Sequence, residues 1–130
     1  MVALNASTGK KLWSRALGSG TDGISSPAVS GGIVYVGAND DRVYALQSSS
    51  GKVKWTYTTG GGVQSSPAVA GGVVYVGSND GYVYALSATT GRRLWRYRTG
   101  LGVYSSPAVA DGVVYVGSDI GRIYAFGLKS

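Results

Sequence analysis

Aspartate is the only acidic residue type in the chain. The 130 residues include six Asp and no Glu, His or Cys, which excludes disulfides and the usual zinc or haem ligands. A carboxylate could serve as a general base, but four of the six lie in short turn-like stretches between apolar runs. We expect turn roles, and no catalytic base, for those four, which are Asp40, Asp41, Asp80 and Asp119; the other two are Asp22 and Asp111.

A second possible chemical motif is GSGTDG at residues 18–23, which matches the G-x-G-x-x-G dinucleotide fingerprint. That fingerprint requires a helix directly after it. Here ISSPAV follows, which is typical of a strand that begins near a proline. We therefore expect this segment to be a loop and not a nucleotide site.

Basic residues cluster around the three tryptophans, and the net charge is +6. Such a cluster could attract nucleic acid, anionic lipid or an acidic protein. A solvated edge whose charge discourages strand-to-strand aggregation is the interpretation we favour, with anion or nucleic-acid binding as an alternative. This group, the basic rim, holds nine of the twelve Lys and Arg residues: Lys10, Lys11, Arg15, Lys52, Lys54, Arg92, Arg93, Arg96 and Arg98.

The composition predicts the kind of element that carries these side chains. Gly (22) and Tyr (10) are abundant, and 44% of residues are hydrophobic, which indicates short strands joined by tight turns around one core. No apolar run approaches the length of a membrane span, and no basic segment with an apolar signal core follows Met1. We predict an all-β domain without a membrane span.

The chain repeats itself with a period of 40 residues. Residues 24–63 and 64–103 are identical at 24 of 40 aligned positions, and SSPAV and VYVG occur three times in register. Turn signals every eight to twelve residues within such a period are typical of a four-stranded β-propeller blade. In the middle repeat we predict strand A at 64–69, B at 73–78, C at 82–87 and D, the outermost, at 93–98.

Strands B and C are apolar at consecutive positions, as in VVYV and YVYAL. A sheet with one wet face would alternate instead, so both faces are predicted to be buried between neighbouring blades.

The segments ALNASTGKKLW, ALQSSSGKVKW and ALSATTGRRLW resemble the tryptophan-docking motif of the pyrroloquinoline-quinone-like, or quinoprotein-type, β-propeller repeats. In that family the indole packs between adjacent blades. The resemblance therefore implies that blade docking is carried by Trp13, Trp55, Trp95, Gly9, Gly51 and Gly91. The family's usual acidic residue at the third position is replaced by Asn5, Gln47 and Ser87, which implies a weakened or lost turn-capping bond.

The resemblance also bears on activity. Quinoprotein dehydrogenases of this family hold their quinone with linked cysteines and an acidic calcium site, and this chain has no Cys or Glu. We therefore predict no enzyme, no cofactor and no metal, and a non-catalytic scaffold or protein-interaction module; a piece of a quinone-dependent oxidoreductase is the alternative. Natural relatives are expected in an extracytoplasmic or periplasmic compartment.

The predicted layout is one repeat domain over 1–130. It comprises strands C and D at 1–16, blades at 24–58 and 64–98, and strands A to C at 104–128. About three blades are too few for a closed ring, so we expect head-to-tail association in which residues 11–16 of one copy complete the last blade of another. Two copies would give six blades and three would give nine, and the incomplete terminal repeats suggest an excised or engineered piece.

Overall fold

The computed structural model describes residues 1–18 and 23–127. These residues form thirteen strands, and no helix among them is long and apolar enough to cross a membrane. The strands are β1 (Val2–Leu4), β2 (Lys11–Ser14), β3 (Ala28–Ser30), β4 (Ile33–Gly37), β5 (Arg42–Gln47), β6 (Val53–Thr58), β7 (Ala68–Ala70), β8 (Val73–Gly77), β9 (Tyr82–Ser87), β10 (Arg93–Arg98), β11 (Ala108–Ala110), β12 (Val113–Gly117) and β13 (Ile123–Gly127).

The strands form four antiparallel sheets in chain order. The N-terminal hairpin is β1–β2, the first blade is β3–β6, the second blade is β7–β10 and the third sheet is β11–β13. Each strand pairs with its sequence neighbour, so the two blades have the order A, B, C, D. The all-β propeller prediction is therefore confirmed.

Strand A of each repeat lies on the inner edge of its sheet. The β7 strand contacts both β3 and β11, whereas the D strands β6 and β10 close the opposite edges of the blades. This arrangement agrees with the prediction that strand D is outermost.

The turns follow from residues that accept a positive φ. In the B-to-C turns this conformation is taken by Asp41 (φ 68°), Gly81 (φ 88°) and Gly121 (φ 74°). In the last A-to-B turn Asp111 (φ 50°) and Gly112 (φ 73°) take it together, as the two-residue hairpin geometry requires.

Three apolar clusters fill the spaces between successive sheets. Between the first and second blades, Val43 and Tyr35 meet Val76 and Leu86. Consecutive residues of β4, β5, β8 and β9 are buried, which confirms the prediction that both faces of strands B and C are covered.

The predicted bounds of strands C and D in the second blade match β9 and β10, and strand B ends one residue early at Gly77. The prediction for strand A was wrong at its start. The strand begins at Ala68, directly after Pro67, because proline has no N–H for the ladder. The two serines before it make other bonds, described below.

Candidate functional site

The indoles of Trp13 and Trp55 reach from one sheet to the next. Trp13 Nε1 donates to the backbone oxygen of Ser48 at 2.8 Å, and Trp55 Nε1 donates to that of Ala88 at 3.0 Å. Both bonds join strand D of one sheet to the C-to-D turn of the following blade. Each indole is half-buried and has its polar atom satisfied.

The glycine in that turn lies directly under the indole. A Cβ added to Gly51 would lie 2.5 Å from Trp13 Cε3, and one added to Gly91 would lie 2.5 Å from Trp55 Cε3. Gly9 has nothing within 4 Å of the same position. The structure thus places two of the glycines named from the sequence against the indole of the preceding repeat, Gly51 against Trp13 and Gly91 against Trp55.

Trp95 packs between two aromatic rings. Its ring centroid lies 6.1 Å from that of Tyr75 and 5.3 Å from that of Phe126. The chain that follows β13 and corresponds to the C-to-D turn lies outside the described residues, as do Asp22 and most of the 18–23 segment.

The cap of the first turn is formed. Asn5 Oδ1 accepts hydrogen bonds from the backbone of Ser7 (2.9 Å) and Thr8 (3.0 Å), so the capping bond is not lost there. An amide oxygen accepts as a carboxylate does, although without its charge. Ser87 Oγ accepts only a long bond, 3.4 Å, from Thr90.

The serine pairs before each proline carry bonds that sequence reasoning missed. The first serine fastens strand B of its own sheet: Ser65 Oγ accepts from Gly77 N at 3.0 Å, and Ser25 and Ser105 do the same for Gly37 and Gly117. The second serine links sheets, since Ser66 Oγ accepts from Ser26 N (3.0 Å) and Ser106 Oγ accepts from Ser66 N (2.9 Å). The threefold recurrence of Ser-Ser-Pro was the available signal.

Asp80 is a structural acceptor. Its carboxylate accepts from Gly60 N (2.8 Å), Tyr82 N (3.0 Å) and the Tyr84 hydroxyl (2.5 Å), which ties its turn to the preceding interblade loop. Asp40 repeats the bond to Tyr44 and forms an ion pair with Arg42 at 3.3 Å. These contacts agree with the turn role expected from the sequence.

Burial raises the pKa of the Tyr84 hydroxyl, and its bond to the Asp80 carboxylate raises that pKa further. Burial likewise raises the pKa of Tyr44, with the bond to Asp40 adding to the effect. These tyrosines are held neutral, which makes them hydrogen-bond donors and not bases.

The basic rim is solvent-exposed except at Arg15. Arg15 is half-buried and its Nε donates to the backbone oxygen of Gly51 at 2.6 Å. The Arg96 guanidinium lies 4.3 Å from the centroid of the Tyr82 ring, a cation–π contact. The C-to-D turns that carry much of the rim lie at the opposite strand ends from the aspartate-bearing B-to-C turns, so the charge is polarised along the strands.

A cleft of about 300 Å³ opens between the first and second blades, beside Tyr35, Trp55 and Ala88. Its repeat-related counterpart lies beside Tyr75 and Trp95. Both are lined mainly by glycine, aliphatic and aromatic residues, and Lys54 is the one ionisable amine at the first. The first lining also holds the hydroxyls of Ser30 and Thr89, and among the described residues neither forms a hydrogen bond with Lys54.

The ends of the arc leave apolar faces uncovered. One position of strand C shows the difference: Val43 and Val83 are 0% exposed, whereas the equivalent Ile123 is 81% exposed. A position in strand B repeats it, with Tyr35 and Tyr75 at 3% and Tyr115 at 44%. At the other end of the arc the exposed apolar side chains are Val2, Leu4 and Leu12.

The residues do not fit a quinone and calcium site. The sequence has no Cys or Glu, the Asp40 and Asp80 carboxylates bond to tyrosines, and the described ranges contain no group of three metal-ligating side chains. We therefore assign no step to such a group.

Sheets of four antiparallel strands, arranged side by side and joined through recurring tryptophan–glycine contacts, define a β-propeller built of quinoprotein-type repeats. The chain belongs to the family described as outer membrane protein assembly factor BamB, whose model matches residues 1–130. This match confirms the resemblance seen in the sequence.

Individual relatives match over part of their length. The outer membrane protein assembly factor BamB of Escherichia coli (strain K12) is 44% identical over 61 residues, which is 41% of this chain and 16% of that protein. The crystal structure of BamB from Moraxella catarrhalis has a TM-score of 0.83 at 32% identity, over 98% of this chain and 39% of that one. The chain thus spans well under half of these relatives.

Two other solved structures share the fold. The quinohemoprotein alcohol dehydrogenase ADHIIG from Pseudomonas putida HK5 has a TM-score of 0.74 at 27% identity, over 82% of this chain and 19% of that one. The computationally designed Ika4 protein has a TM-score of 0.84 at 18% identity, over 98% of this chain and 79% of that one. The second likeness concerns the fold alone.

Proposed function

We propose that the chain is a non-catalytic propeller scaffold that acts through protein contacts on its end faces, and that one partner is a second copy of itself. The observation that carries this proposal is the exposure of Ile123 at a position that is sealed in both earlier repeats. The relatives' name, an outer membrane protein assembly factor, supports an interaction role and an extracytoplasmic setting.

The third sheet presents a copy of a surface that the chain covers elsewhere. Tyr35 and Val43 of the first blade pack against Val74 and Val76 of the second. Their equivalents Tyr115 and Ile123 meet no such sheet within the described residues. Apolar patches of this kind rarely stay exposed on a monomer. Within the chain the equivalent residues are covered by the leading face of the next blade, the face that bears Val74 and Val76, so we expect a similar face to cover Tyr115 and Ile123.

Light scattering after size-exclusion chromatography tests self-association. We expect a mass of two or three times 13.3 kDa at micromolar concentration, corresponding to six or nine blades. A single species near 13.3 kDa at those concentrations would contradict the proposal.

Two substitutions test whether association depends on the end face around Ile123 or on exposed apolar side chains in general. Ile123→Asp should shift the mass toward the single chain, because a charge then occupies a face that must lose water. Leu101→Asp is the matched control, since Leu101 is 55% exposed but lies in the loop after the second blade. It should leave the mass unchanged.

Binding of an anion or nucleic acid along the basic rim is the second candidate function. It is favoured by the exposure of Arg92, Arg93 and Arg98 at or beside the outer strand β10. Titration of labelled single-stranded DNA should then weaken steeply between about 50 and 200 mM salt. Binding that ignores salt, or no binding at the lower concentration, would exclude this candidate.

Catalysis with a quinone is tested separately. A scaffold should leave the absorbance spectrum of added pyrroloquinoline quinone unchanged, with or without calcium. A saturable spectral shift would contradict the non-catalytic proposal.

A further inference from the structure

Among the described residues, strand C of the repeat occurs four times and strand D three times. Ala3 pairs with Trp13, as Ala45 pairs with Trp55 and Ala85 with Trp95. Ala125 occupies the same repeat position in β13, and within the described residues no strand pairs with the outer edge of β13. The described residues therefore include two C strands at the ends of the arc, β1 and β13, and β2 is a D strand with which either could pair.

The two terminal C strands differ in how firmly they are anchored. β13 pairs with β12 over five residues without a register shift, and its Phe126 packs against Trp95 and Tyr97 at 5.3 and 5.2 Å. β1 pairs with β2 over three residues with one shift, and its Val2 and Leu4 are exposed at 57% and 56%. Removal of β1 from β2 thus uncovers less apolar surface than removal of β13 from β12.

The inward side of β1 has a counterpart in β13. Met1, with Trp13, packs against the cluster on the leading face of the first blade, where Val36 and Leu46 lie. Ile123 corresponds to Met1 and Ala125 to Ala3, so β13 offers side chains of similar size for the same place. It brings Tyr115 with it from β12.

A hydrogen-bond acceptor is available for that tyrosine. At the interface between the two blades, both Tyr35 Oη (3.1 Å) and Trp55 Nε1 (3.0 Å) donate to the backbone oxygen of Ala88. Ser48 is the equivalent of Ala88, and among the described residues its backbone oxygen accepts only from Trp13. A carbonyl oxygen has two lone pairs, so it can also accept from Tyr115 of a second copy.

We infer that β1 is a placeholder: in the assembly, β13 of a second copy displaces it and pairs with β2, so that Ala125 lies opposite Trp13. This inference rests on the proposed self-association and names the strand that carries it. The exchange conserves the ladder hydrogen bonds of β2, as in domain swapping, and it adds burial of Ile123 and Tyr115. β1 therefore limits association until it is released.

Two matched proline substitutions test the exchange. Arg15 N donates to the Met1 oxygen at 2.9 Å, so these two residues form a hydrogen-bonded pair of the ladder. Such pairs alternate along antiparallel strands, so the N–H of Ala3 also points toward β2. Ala125 has the same repeat position as Ala3, so its N–H points toward the outer edge of β13. Ala3→Pro should free β2 and tighten self-association at least tenfold, measured by light scattering across a dilution series. Ala125→Pro should weaken it at least tenfold, because proline cannot donate in the new ladder.

The outcomes distinguish the two proposals. If Ala3→Pro abolishes association and Ala125→Pro does not, β1 is the strand that inserts, and the inference is overturned while self-association stands. If neither the unsubstituted chain nor Ala3→Pro associates, the proposed self-association itself fails. Circular dichroism of each variant confirms that the sheets have formed.

Cross-linking provides a readout of register that does not depend on proline. Arg42 pairs with Thr58 and Tyr82 with Arg98, so the exchange places Arg122 of one copy opposite Ala16 of another. Single-cysteine chains Ala16→Cys and Arg122→Cys, mixed and oxidised, should give a disulfide-linked heterodimer in high yield. A mixture of Ala16→Cys with Arg98→Cys is the control, and equal yields in the two mixtures would overturn the inference.

Discussion

At the scale of single residues, the contact between an indole and a glycine explains why one turn position in each repeat carries no side chain. Gly91 has φ +76°, and its missing Cβ leaves the space that the Trp55 ring fills. Gly91→Ala should therefore incur both backbone strain, about 1–2 kcal/mol, and overpacking, about 1–3 kcal/mol. Urea unfolding followed by tryptophan fluorescence measures the sum.

Gly72 is the matched control for that substitution. It belongs to the same blade and has the same φ of +76°, but a Cβ there would meet nothing within 4 Å. Gly72→Ala should cost only the backbone strain. If the two variants are equally stable, the indole does not depend on the bare glycine, and the proposed docking role of Trp55 fails.

Tyr84 should make the fold sensitive to alkaline pH. The pKa of Tyr84 in the folded state is raised by burial and by the Asp80 bond, whereas a tyrosine in the unfolded chain ionises at about pH 10. Its contribution to stability is thus complete below about pH 10 and falls above it by about 1.4 kcal/mol per pH unit, since only the unfolded chain releases the proton. Chemical denaturation at a series of pH values measures this slope.

Tyr84→Phe should remove the share of that slope due to Tyr84 and leave the share of the other buried tyrosines, Tyr35, Tyr44 and Tyr75, whose pKa values burial also raises. It should cost about 1 kcal/mol at neutral pH through the lost bond to Asp80. Tyr104→Phe is the comparison, because Tyr104 is 43% exposed. It should leave the alkaline slope as it is in the unsubstituted chain. An unchanged slope in Tyr84→Phe would show that other groups carry the pH dependence.

At the scale of elements, strands B, C and D could be predicted from the sequence because apolar runs and turn residues bound them on both sides. The Asn-Asp and Asp-Gly turns fix where β9 begins, and Thr90-Gly91 fixes where β10 begins. Strand A is preceded by a proline and not by a turn. Its first residue therefore depends on whether the serines before that proline bond to the neighbouring strand or elsewhere. Ser65 and Ser66 resolve that question by bonding across the sheet and to the next one.

The serine bonds between sheets could not be predicted in the same way. A serine between a loop and a proline is typical of any turn, and neither charge nor periodicity distinguishes Ser25, which bonds within its sheet, from Ser26, which bonds to the next blade. The difference depends on the inner edges of β3 and β7 lying side by side. That proximity is a property of blade stacking and not of one repeat.

At the scale of the whole molecule, stacking converts a local pattern into a requirement for neighbours. From the sequence, the faces of each blade were predicted to be covered by its neighbours. Val43 and Val83 are covered in this way, whereas the equivalent Ile123 is exposed. How many copies meet it depends on the rotation between successive blades along a complete arc, which no repeat encodes by itself.

If the end faces are covered by other copies, stability should depend on chain concentration. Once association is saturated, each tenfold increase in concentration should add about 1.4 kcal/mol for every association step in the assembly, because the associated state is linked to folding by mass action. Scanning calorimetry across a hundredfold range should therefore show a rising Tm for the unsubstituted chain and a constant Tm for Ile123→Asp. A constant Tm in both would mean that association adds nothing to the stability of the sheets, and that the sheets with exposed faces fold without a partner.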